Sequence, residues 1–129
     1  MAQETLTHVG IASADAQATI AFFTKYFGAE ETMTKAFPTQ ISHMLHFAAG
    51  GLEIMEATDP EGTVGKYLQK RGPGLHHISF DVKDITALIG QLESDGIRVI
   101  AKRLDDPAQR KVAFVDPRCT GGILIELVE

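Results

Sequence analysis

Two histidines and two glutamates occupy repeat-related positions in this chain, and their side chains are of types that bind metal ions. His8 lies in the stretch LTHVGIAS and His77 in the stretch LHHISFDV, which align without gaps. Glu53 and Glu126 lie in the similar stretches GGLEIMEA and GGILIELVE, once one residue of slack is allowed. Two imidazoles and two carboxylates suit a divalent cation such as Zn²⁺, Co²⁺, Ni²⁺, Mn²⁺ or Fe²⁺. Such a set would leave coordination positions for water or substrate.

The elements that must position these residues repeat in the same order. Each half is predicted to form a strand, a helix and three further strands, because alternating apolar stretches indicate strands and apolar residues at helical spacing indicate helices. Gly28 and Gly96 are predicted to end the two helices. The stretch TVGKYLQKRG is predicted to form a linking helix that ends at Gly72. The predicted strands lie near residues 6–13, 30–35, 41–48, 51–56, 75–82, 97–101, 111–115 and 122–128.

The repeat predicts one domain over residues 1–129, with an α+β fold of two tandem βαβββ units. Repeat one is expected over residues 5–57, the linking helix over 62–71 and repeat two over 74–129. If the two units pack with pseudo-twofold symmetry, the two histidines and the two glutamates can converge in one place.

Strand alternation places the four ionisable side chains on one side of the predicted sheet, because neighbouring residues of a strand point to opposite faces. Apolar residues suited to packing on the helices oppose each of the four: Val9 and Ile11 oppose His8, Leu52 and Ile54 oppose Glu53, Ile78 and Phe80 oppose His77, and Ile125 and Leu127 oppose Glu126. His76 faces away from His77 and has no predicted metal role. A lone histidine or glutamate on a strand is more often hydrogen-bonded or solvated, but four on one face favour a metal site.

Composition and charge exclude several classes of partner. The chain has a net charge of -5 and no long basic run, so nucleic acid is not expected, because phosphate binding needs a clustered positive surface. No apolar run approaches the roughly 20 residues of a membrane span, and the N-terminus lacks the pattern of a signal peptide. Cys119 is the single cysteine. We therefore expect no disulfide within the chain, no membrane insertion and a cytoplasmic location.

Five stretches together carry a resemblance to a known family. They are HVGIA at His8, VGKYLQKRG at Val64, GLHHISFDVKDI at Gly74, KVAFVDP at Lys111 and TGGILIELVE at Thr120. The chain resembles the vicinal oxygen chelate superfamily and, within it, the methylmalonyl-CoA epimerase family. The resemblance covers nearly the whole chain, and GLHHI and TGGILIEL are specific in combination. It implies a curved, barrel-like mixed sheet around a divalent metal ion, with Co²⁺ as the first candidate.

The resemblance also implies a reaction and a ligand set. The reaction is epimerisation of methylmalonyl-CoA, by proton transfer at the carbon alpha to the thioester through a metal-stabilised enolate. The four metal-ligand positions of the family map onto His8, Glu53, His77 and Glu126. An acyl-CoA substrate and a homodimer are implied as well.

Inversion at one carbon needs proton-transfer groups on both of its faces. Glu126 is the first candidate, in line with the family, and its repeat mate Glu53 is the second. His46 is a third candidate, because it shares a face of its strand with Ser42 and Met44 and could line the same cavity. A polar residue near a strand end, however, needs no catalytic role.

Four residues are candidates for contacts with the substrate. Thr120 and Gly121 precede the strand of Glu126, and their backbone amides could bind a carboxylate in a loop nest, unless they form a plain β-turn. Arg110 and Lys111 could contact the phosphates of coenzyme A. Each of these cations alone is more often a solvated surface charge.

The sequence departs from the family pattern outside the metal ligands. Met44 stands where one type of epimerase carries a second acid in its third strand. PAQRK replaces a usual GGKR, Asp116-Pro117 replaces a His-Pro pair and Cys119 replaces a serine. These differences leave the metal site intact but leave the acyl group of the substrate open.

Other functions of the same superfamily remain as alternatives. Glu53, where some members carry Gln, makes the ligand set more similar to that of glyoxalase I, a lyase that acts on a glutathione hemithioacetal. A dioxygenase relative would use two histidines and one glutamate for iron, so that Glu53 would be an extra ligand. The third alternative is a non-catalytic small-molecule binding protein, but such a protein has no need of the complete ligand set.

Overall fold

The computed structural model describes residues 3–129, which form eight β-strands, three α-helices and a short 3₁₀ turn over Pro117–Cys119. The elements are β1 (Thr5–Ser13), α1 (Ala16–Phe27), β2 (Glu30–Ala36), β3 (Gln40–His46), β4 (Gly51–Ala57), α2 (Thr63–Arg71), β5 (Gly74–Asp81), α3 (Ile85–Ser94), β6 (Val99–Arg103), β7 (Val112–Val115) and β8 (Ile125–Val128). The predicted α+β class and the βαβββ order of both halves are confirmed. No helix among these residues is long and apolar enough to cross a membrane.

The chain divides into two compact units. The first unit is His8–His76, and the second consists of residues 3–7 together with His77–Glu129. The linking helix α2 belongs to the first unit, where its Val64 packs against Ala12 and Met55. These bounds differ from the predicted repeats because β1 and β5 each cross the division. That residues 1–129 act as one domain stays a prediction.

The two units have the same strand topology. In the first unit the strand order is β2-β3-β4-β1, with β1 parallel to β4 and the other neighbours antiparallel. In the second unit the order is β6-β7-β8-β5, with β5 parallel to β8 and the other neighbours antiparallel. The sequence repeat therefore corresponds to a repeat in strand topology, with the histidine strand beside the glutamate strand in each unit.

The helices begin and end where local chemistry favours it. Asp15 caps α1, because its Oδ1 accepts a hydrogen bond from the Ala18 amide at 3.0 Å, and Asp84 caps α3 in the same way through Ala87. Gly28 ends α1 in the left-handed region, at φ 68°, as its position in the sequence predicts. Gly96, which is predicted to end α3, has a φ of 80° and lies two residues beyond the last helical residue.

In both units the helix-facing side of the strands is apolar, as strand alternation predicts. In the first unit Ile20 of α1 belongs to a core cluster with Leu45 and Ile54, against which Ile11 packs. In the second unit the core cluster contains residues of α3 and of the sheet, with Phe80 packed against it: Ile85, Ile89, Val99, Ala113, Val115 and Leu127. His8, Glu53, His77 and Glu126 alternate with members of these clusters, so their side chains belong to the opposite faces.

The clearest departure from the predicted elements precedes Glu126. The last strand is predicted from residue 122, but β8 begins at Ile125. Gly121 and Gly122 have φ values of 74° and 97°, in the left-handed region that favours glycine. The backbone therefore turns at these two residues and enters the strand only afterwards.

Candidate metal centre and active site

The first unit pairs His8 with Glu53. β1 and β4 run in parallel, and their register sets Gly10 beside Glu53, two residues along the strand from His8. Nε2 of His8 lies 3.6 Å from Oε1 of Glu53. The two side chains are 14% and 16% exposed, so a carboxylate and an imidazole are held together at a mostly buried position.

The second unit builds the same pair from His77 and Glu126. Nε2 of His77 lies 3.7 Å from Oε1 of Glu126, and the side chains are 3% and 18% exposed. In the parallel register of β5 and β8, Ser79 lies beside Glu126. The ring of His77 also meets the ring of Phe114 edge-on, with 6.3 Å between the centroids. Each predicted histidine and glutamate ligand is therefore in a pair within its own unit.

The donor atoms of both pairs fit a divalent metal ion. Bonds of about 2.1 Å from imidazole nitrogen and carboxylate oxygen to one ion bring the two donors to roughly 3.0–3.4 Å from each other. The observed separations, 3.6 and 3.7 Å, need only a small approach. Imidazole and carboxylate are ligands for Zn²⁺, Co²⁺, Ni²⁺, Mn²⁺ and Fe²⁺. Each pair supplies two protein ligands.

The other histidines have different surroundings. His43 is buried, and its Nε2 lies 3.1 Å from Oε2 of Glu56, on the face opposite to that of Glu53. His76 packs its ring edge-on against Tyr67, with the centroids 4.7 Å apart.

His46, the third candidate for proton transfer, is exposed at the end of β3, with Nδ1 2.6 Å from the Thr32 hydroxyl. In the register of β3 and β4, Met44 lies opposite Glu53 and His46 lies opposite Gly51. His46 therefore shares the face of Glu53, and its catalytic role stays a prediction.

The candidate substrate contacts have neighbours of their own in the second unit. Nη2 of Arg110 lies 3.2 Å from Oδ1 of Asp81, and Nζ of Lys111 lies 3.6 Å from Oε2 of Glu129. The side chains of Arg110 and Lys111 are 59% and 45% exposed, so these ion pairs are weak and can exchange for other anions. Their predicted contacts with a substrate stay predictions.

The hydroxyl of Thr120 is engaged within its own turn. It accepts a hydrogen bond from the Ile123 amide and contacts the carbonyl oxygens of Pro117 and Ile123. The turn is thus fixed by its own hydrogen bonds. A role of Thr120 and Gly121 in binding a carboxylate would use their backbone amides, and it stays a prediction.

Sequence reasoning missed the hydrogen bonds between Asp116 and Arg118 that stabilise the 3₁₀ turn before β8. The Asp116 carboxylate accepts hydrogen bonds from the backbone and the guanidinium of Arg118, with 2.8 Å between Oδ2 and Nη2. The hydrogen bond from the Arg118 side chain is the main cause that lowers the pKa of Asp116 from 3.8 to about 2. The aspartate before proline, where a side chain can cap the following turn, was the available signal.

Sequence reasoning also missed the partner of Glu126. Ser79 is fully buried, and its hydroxyl donates a hydrogen bond of 2.7 Å to Oε1 of Glu126. The available signal was alternation, because Ser79 follows His77 by two residues and shares its face.

Comparison with known proteins defines the class first. Residues 7–114 match the model of the Glyoxalase/Bleomycin resistance protein/Dioxygenase superfamily, and the chain belongs to that superfamily. Within it, the chain is similar to proteins named methylmalonyl-CoA epimerase. It is 29% identical over 126 residues to the mitochondrial enzyme of Homo sapiens, over 95% of this chain and 72% of the relative.

Solved structures give the same result. Methylmalonyl-CoA epimerase from Mycobacterium tuberculosis matches with a TM-score of 0.86 and 31% identity, over 96% of this chain and 86% of that one. A variant of the Streptomyces coelicolor epimerase, in complex with 2-nitronate-propionyl-CoA, matches with a TM-score of 0.85 and 30% identity, over 98% and 94% of the two chains. These similarities confirm the family resemblance and the prediction of an epimerase-like enzyme.

Proposed function

We propose that this chain is a metal-dependent epimerase of methylmalonyl-CoA that inverts C2 by proton transfer. The observation that carries the proposal is the His–Glu pair in each unit, with 3.6 and 3.7 Å between the donor atoms. Its chemistry agrees with the names of the relatives, which are epimerases of an acyl-CoA.

His8, Glu53, His77 and Glu126 would hold one divalent ion, because one pair alone supplies too few ligands for a stable four- to six-coordinate site. Co²⁺ is the first candidate for the ion, and Zn²⁺, Ni²⁺, Mn²⁺ and Fe²⁺ are alternatives. When bound, the ion supplies Lewis-acid stabilisation of the negative charge that develops on the thioester oxygen.

The chain itself supplies the proton-transfer groups. A proton must leave C2 on one face and return on the other, so two groups are needed. Glu126 is proposed for one face and Glu53 for the other, because both carboxylates are mostly buried and lie beside a histidine. His46 is the remaining candidate for the second face.

The acyl-CoA would be held by exposed and partly exposed groups of the second unit. The amides of Thr120 and Gly121 would bind the malonyl carboxylate, and Arg110 and Lys111 would bind phosphates after leaving Asp81 and Glu129. A homodimer and a cytoplasmic location are part of the proposal, the first implied by the family and the second supported by the single cysteine, Cys119.

The proposal is tested by incubating the cobalt-loaded protein with (2S)-methylmalonyl-CoA in heavy water. We expect inversion at C2 with incorporation of deuterium from the solvent, and no reaction after removal of the metal with a chelator. His76→Ala is a matched control for His77→Ala, because the two residues are neighbours on opposite faces of β5.

A glyoxalase I-type lyase is the second candidate, because this chain has Glu53 where some epimerases have Gln. Turnover of the methylglyoxal–glutathione adduct, without inversion or deuterium at C2 of the CoA ester, would replace the first proposal by this one. Binding of either compound without turnover would indicate a non-catalytic binding protein.

A further inference from the structure

The two glutamates of the repeat have different neighbours on their own faces. In the second unit Glu126 lies between Ser79 of β5 and Phe114 of β7. In the first unit Glu53 lies between Gly10 of β1 and Met44 of β3. Residues in register on adjacent strands point to the same face, so these four residues are the direct cross-strand neighbours of the two glutamates.

Of these four neighbours only Ser79 can donate a hydrogen bond from its side chain. Its hydroxyl donates to Oε1 of Glu126 at 2.7 Å, a length typical of a strong bond to a carboxylate. Glycine has no side chain, phenylalanine has no polar atom and methionine has at most a weak acceptor. Among the residues in register with the two glutamates, a side-chain hydroxyl therefore lies beside Glu126.

The position of the Ser79 hydroxyl is itself well fixed. Ser79 is fully buried, its backbone pairs with β8, and its carbonyl oxygen accepts a hydrogen bond of 3.1 Å from the Thr7 hydroxyl. Moreover, Oε1 of Glu126, the oxygen that Ser79 contacts, is also the oxygen that lies 3.7 Å from Nε2 of His77. The hydroxyl thus contacts the oxygen that faces the histidine of the same pair.

We propose that Ser79 is a positioning residue, which holds Oε1 of Glu126 beside Nε2 of His77 as the fixed carboxylate ligand of a divalent metal ion. This inference rests on the metal site of the proposed function. Carboxylate ligands are oriented by hydrogen bonds from such outer partners, whose loss usually lowers metal affinity by about 10- to 100-fold. Because the Ser79 hydroxyl donates to Oε1 of Glu126, loss of this hydroxyl is expected to act through Glu126.

The test is a titration of metal-free protein with Co²⁺, followed by the visible absorption of the bound ion. Ser79→Ala is expected to bind Co²⁺ about 10- to 100-fold more weakly than the wild type and to change the absorption spectrum. Ser79→Thr, which keeps the hydroxyl, is expected to restore most of the affinity. Ser13→Ala is the matched control, because it removes another buried serine hydroxyl, one that contacts Thr19 at the start of α1.

Two double variants separate positioning of Glu126 from a general effect on the fold. In a Glu126→Gln background, Ser79→Ala should have little further effect on Co²⁺ affinity, whereas in a Glu53→Gln background it should keep its full effect. Equal effects in the two backgrounds, or an affinity of Ser79→Ala within about threefold of the wild type, would contradict the inference, since 10-fold or more is expected.

Epimerase activity of the same preparations separates this inference from the proposed function. Cobalt binding that depends on Ser79 but supports no epimerisation would leave the role of Ser79 standing and contradict the proposed reaction. Epimerisation together with cobalt binding that does not depend on Ser79 would support the proposed reaction and contradict the role of Ser79. A wild-type protein that binds no Co²⁺ would contradict both.

Discussion

At the scale of single residues, the neighbouring histidines of β5 differ in their surroundings. His77 lies beside Glu126, whereas His76 packs its ring against Tyr67. The separation follows from strand geometry, because adjacent side chains point to opposite faces and only one of them can reach a given site. The same rule separates Glu53 from Ile54 and Glu126 from Leu127.

We predict that Glu126→Gln abolishes turnover, because an amide cannot accept the substrate proton. The expected loss is about 10²- to 10⁴-fold, the usual contribution of a general acid or base. The measurement is the rate of deuterium incorporation at C2, with the bound metal quantified in the same sample. Full metal content with lost turnover identifies a proton-transfer role, and loss of the metal identifies a ligand role.

Glu56→Gln is the matched control for this substitution. Glu56 also lies beside a histidine, His43, but on the face of β4 that carries Ile54. Its variant should keep the turnover of the wild type. If Glu126→Gln retained more than about a tenth of the wild-type rate, Glu126 would no longer be a candidate base.

At the scale of elements, α2 packs against the turn that precedes it. A Cβ atom at Gly65 would lie 2.4 Å from the carbonyl oxygen of Asp59 and 2.7 Å from Cα of Pro60. Both neighbours are backbone atoms, so they cannot move aside as a flexible side chain could. A residue without a side chain is therefore required for α2 to pack at this place, next to the cluster of Ala12, Met55 and Val64.

We predict that Gly65→Ala destabilises the protein, whereas Gly90→Ala stabilises it. Gly90 lies within α3, and a Cβ atom there would meet no atom within 4 Å beyond its chain neighbours and the nearby backbone of the helix. Alanine at this position is therefore expected to stabilise the protein, because it lowers the chain entropy of the unfolded state. The expected changes in the free energy of unfolding are a loss of about 1–3 kcal/mol for Gly65→Ala and a gain of about 0.4–1 kcal/mol for Gly90→Ala. Urea unfolding measures both, and equal stability of the two variants would disprove the close packing of α2.

At the scale of the whole molecule, the question is whether the two His–Glu pairs serve one metal ion. Each unit has the same arrangement: its first strand carries a histidine and runs parallel to its last strand, which carries a glutamate. Two pairs that share an ion would form a single site with four protein ligands. Two pairs that act separately would form two weak sites with two protein ligands each.

We predict that one Co²⁺ ion binds per chain and that both His–Glu pairs are needed for its tight binding. His8→Ala and His77→Ala should each abolish tight binding, because either change removes a ligand of the same ion, whereas His76→Ala should bind like the wild type. Bound metal, measured after equilibrium dialysis, gives the stoichiometry. Two ions per chain, with one lost in each variant, would show that the pairs are independent.

If both His–Glu pairs bind the same ion, binding of that ion should also raise the stability of the whole chain against unfolding. An ion that binds only the folded chain stabilises it by about 2.7 kcal/mol at a free concentration of 100 times Kd. Thermal unfolding of the wild type should therefore shift upward with Co²⁺, and that of His8→Ala and His77→Ala should not.

Much of the fold could be predicted because its signals are local. Alternation and helical spacing identified the strands and helices, and Gly28 ended α1 as expected. The start of β8 was missed, because the apolar residues Ile123 and Leu124 continue the strand pattern while the backbone turns at Gly121 and Gly122. Residue types alone do not reveal which apolar residues pair with a neighbouring strand.

The sequence by itself determined the βαβββ repeat and the face on which each histidine and glutamate lies, because both follow from periods within single elements. Only the tertiary structure decided which side chains are neighbours across strands. It set Ser79 beside Glu126 and Gly10 beside Glu53, and it assigned α2 to the first unit. The physical reason is that register is fixed by ladder hydrogen bonds and packing between distant segments, and a shift of one residue would change every such neighbour.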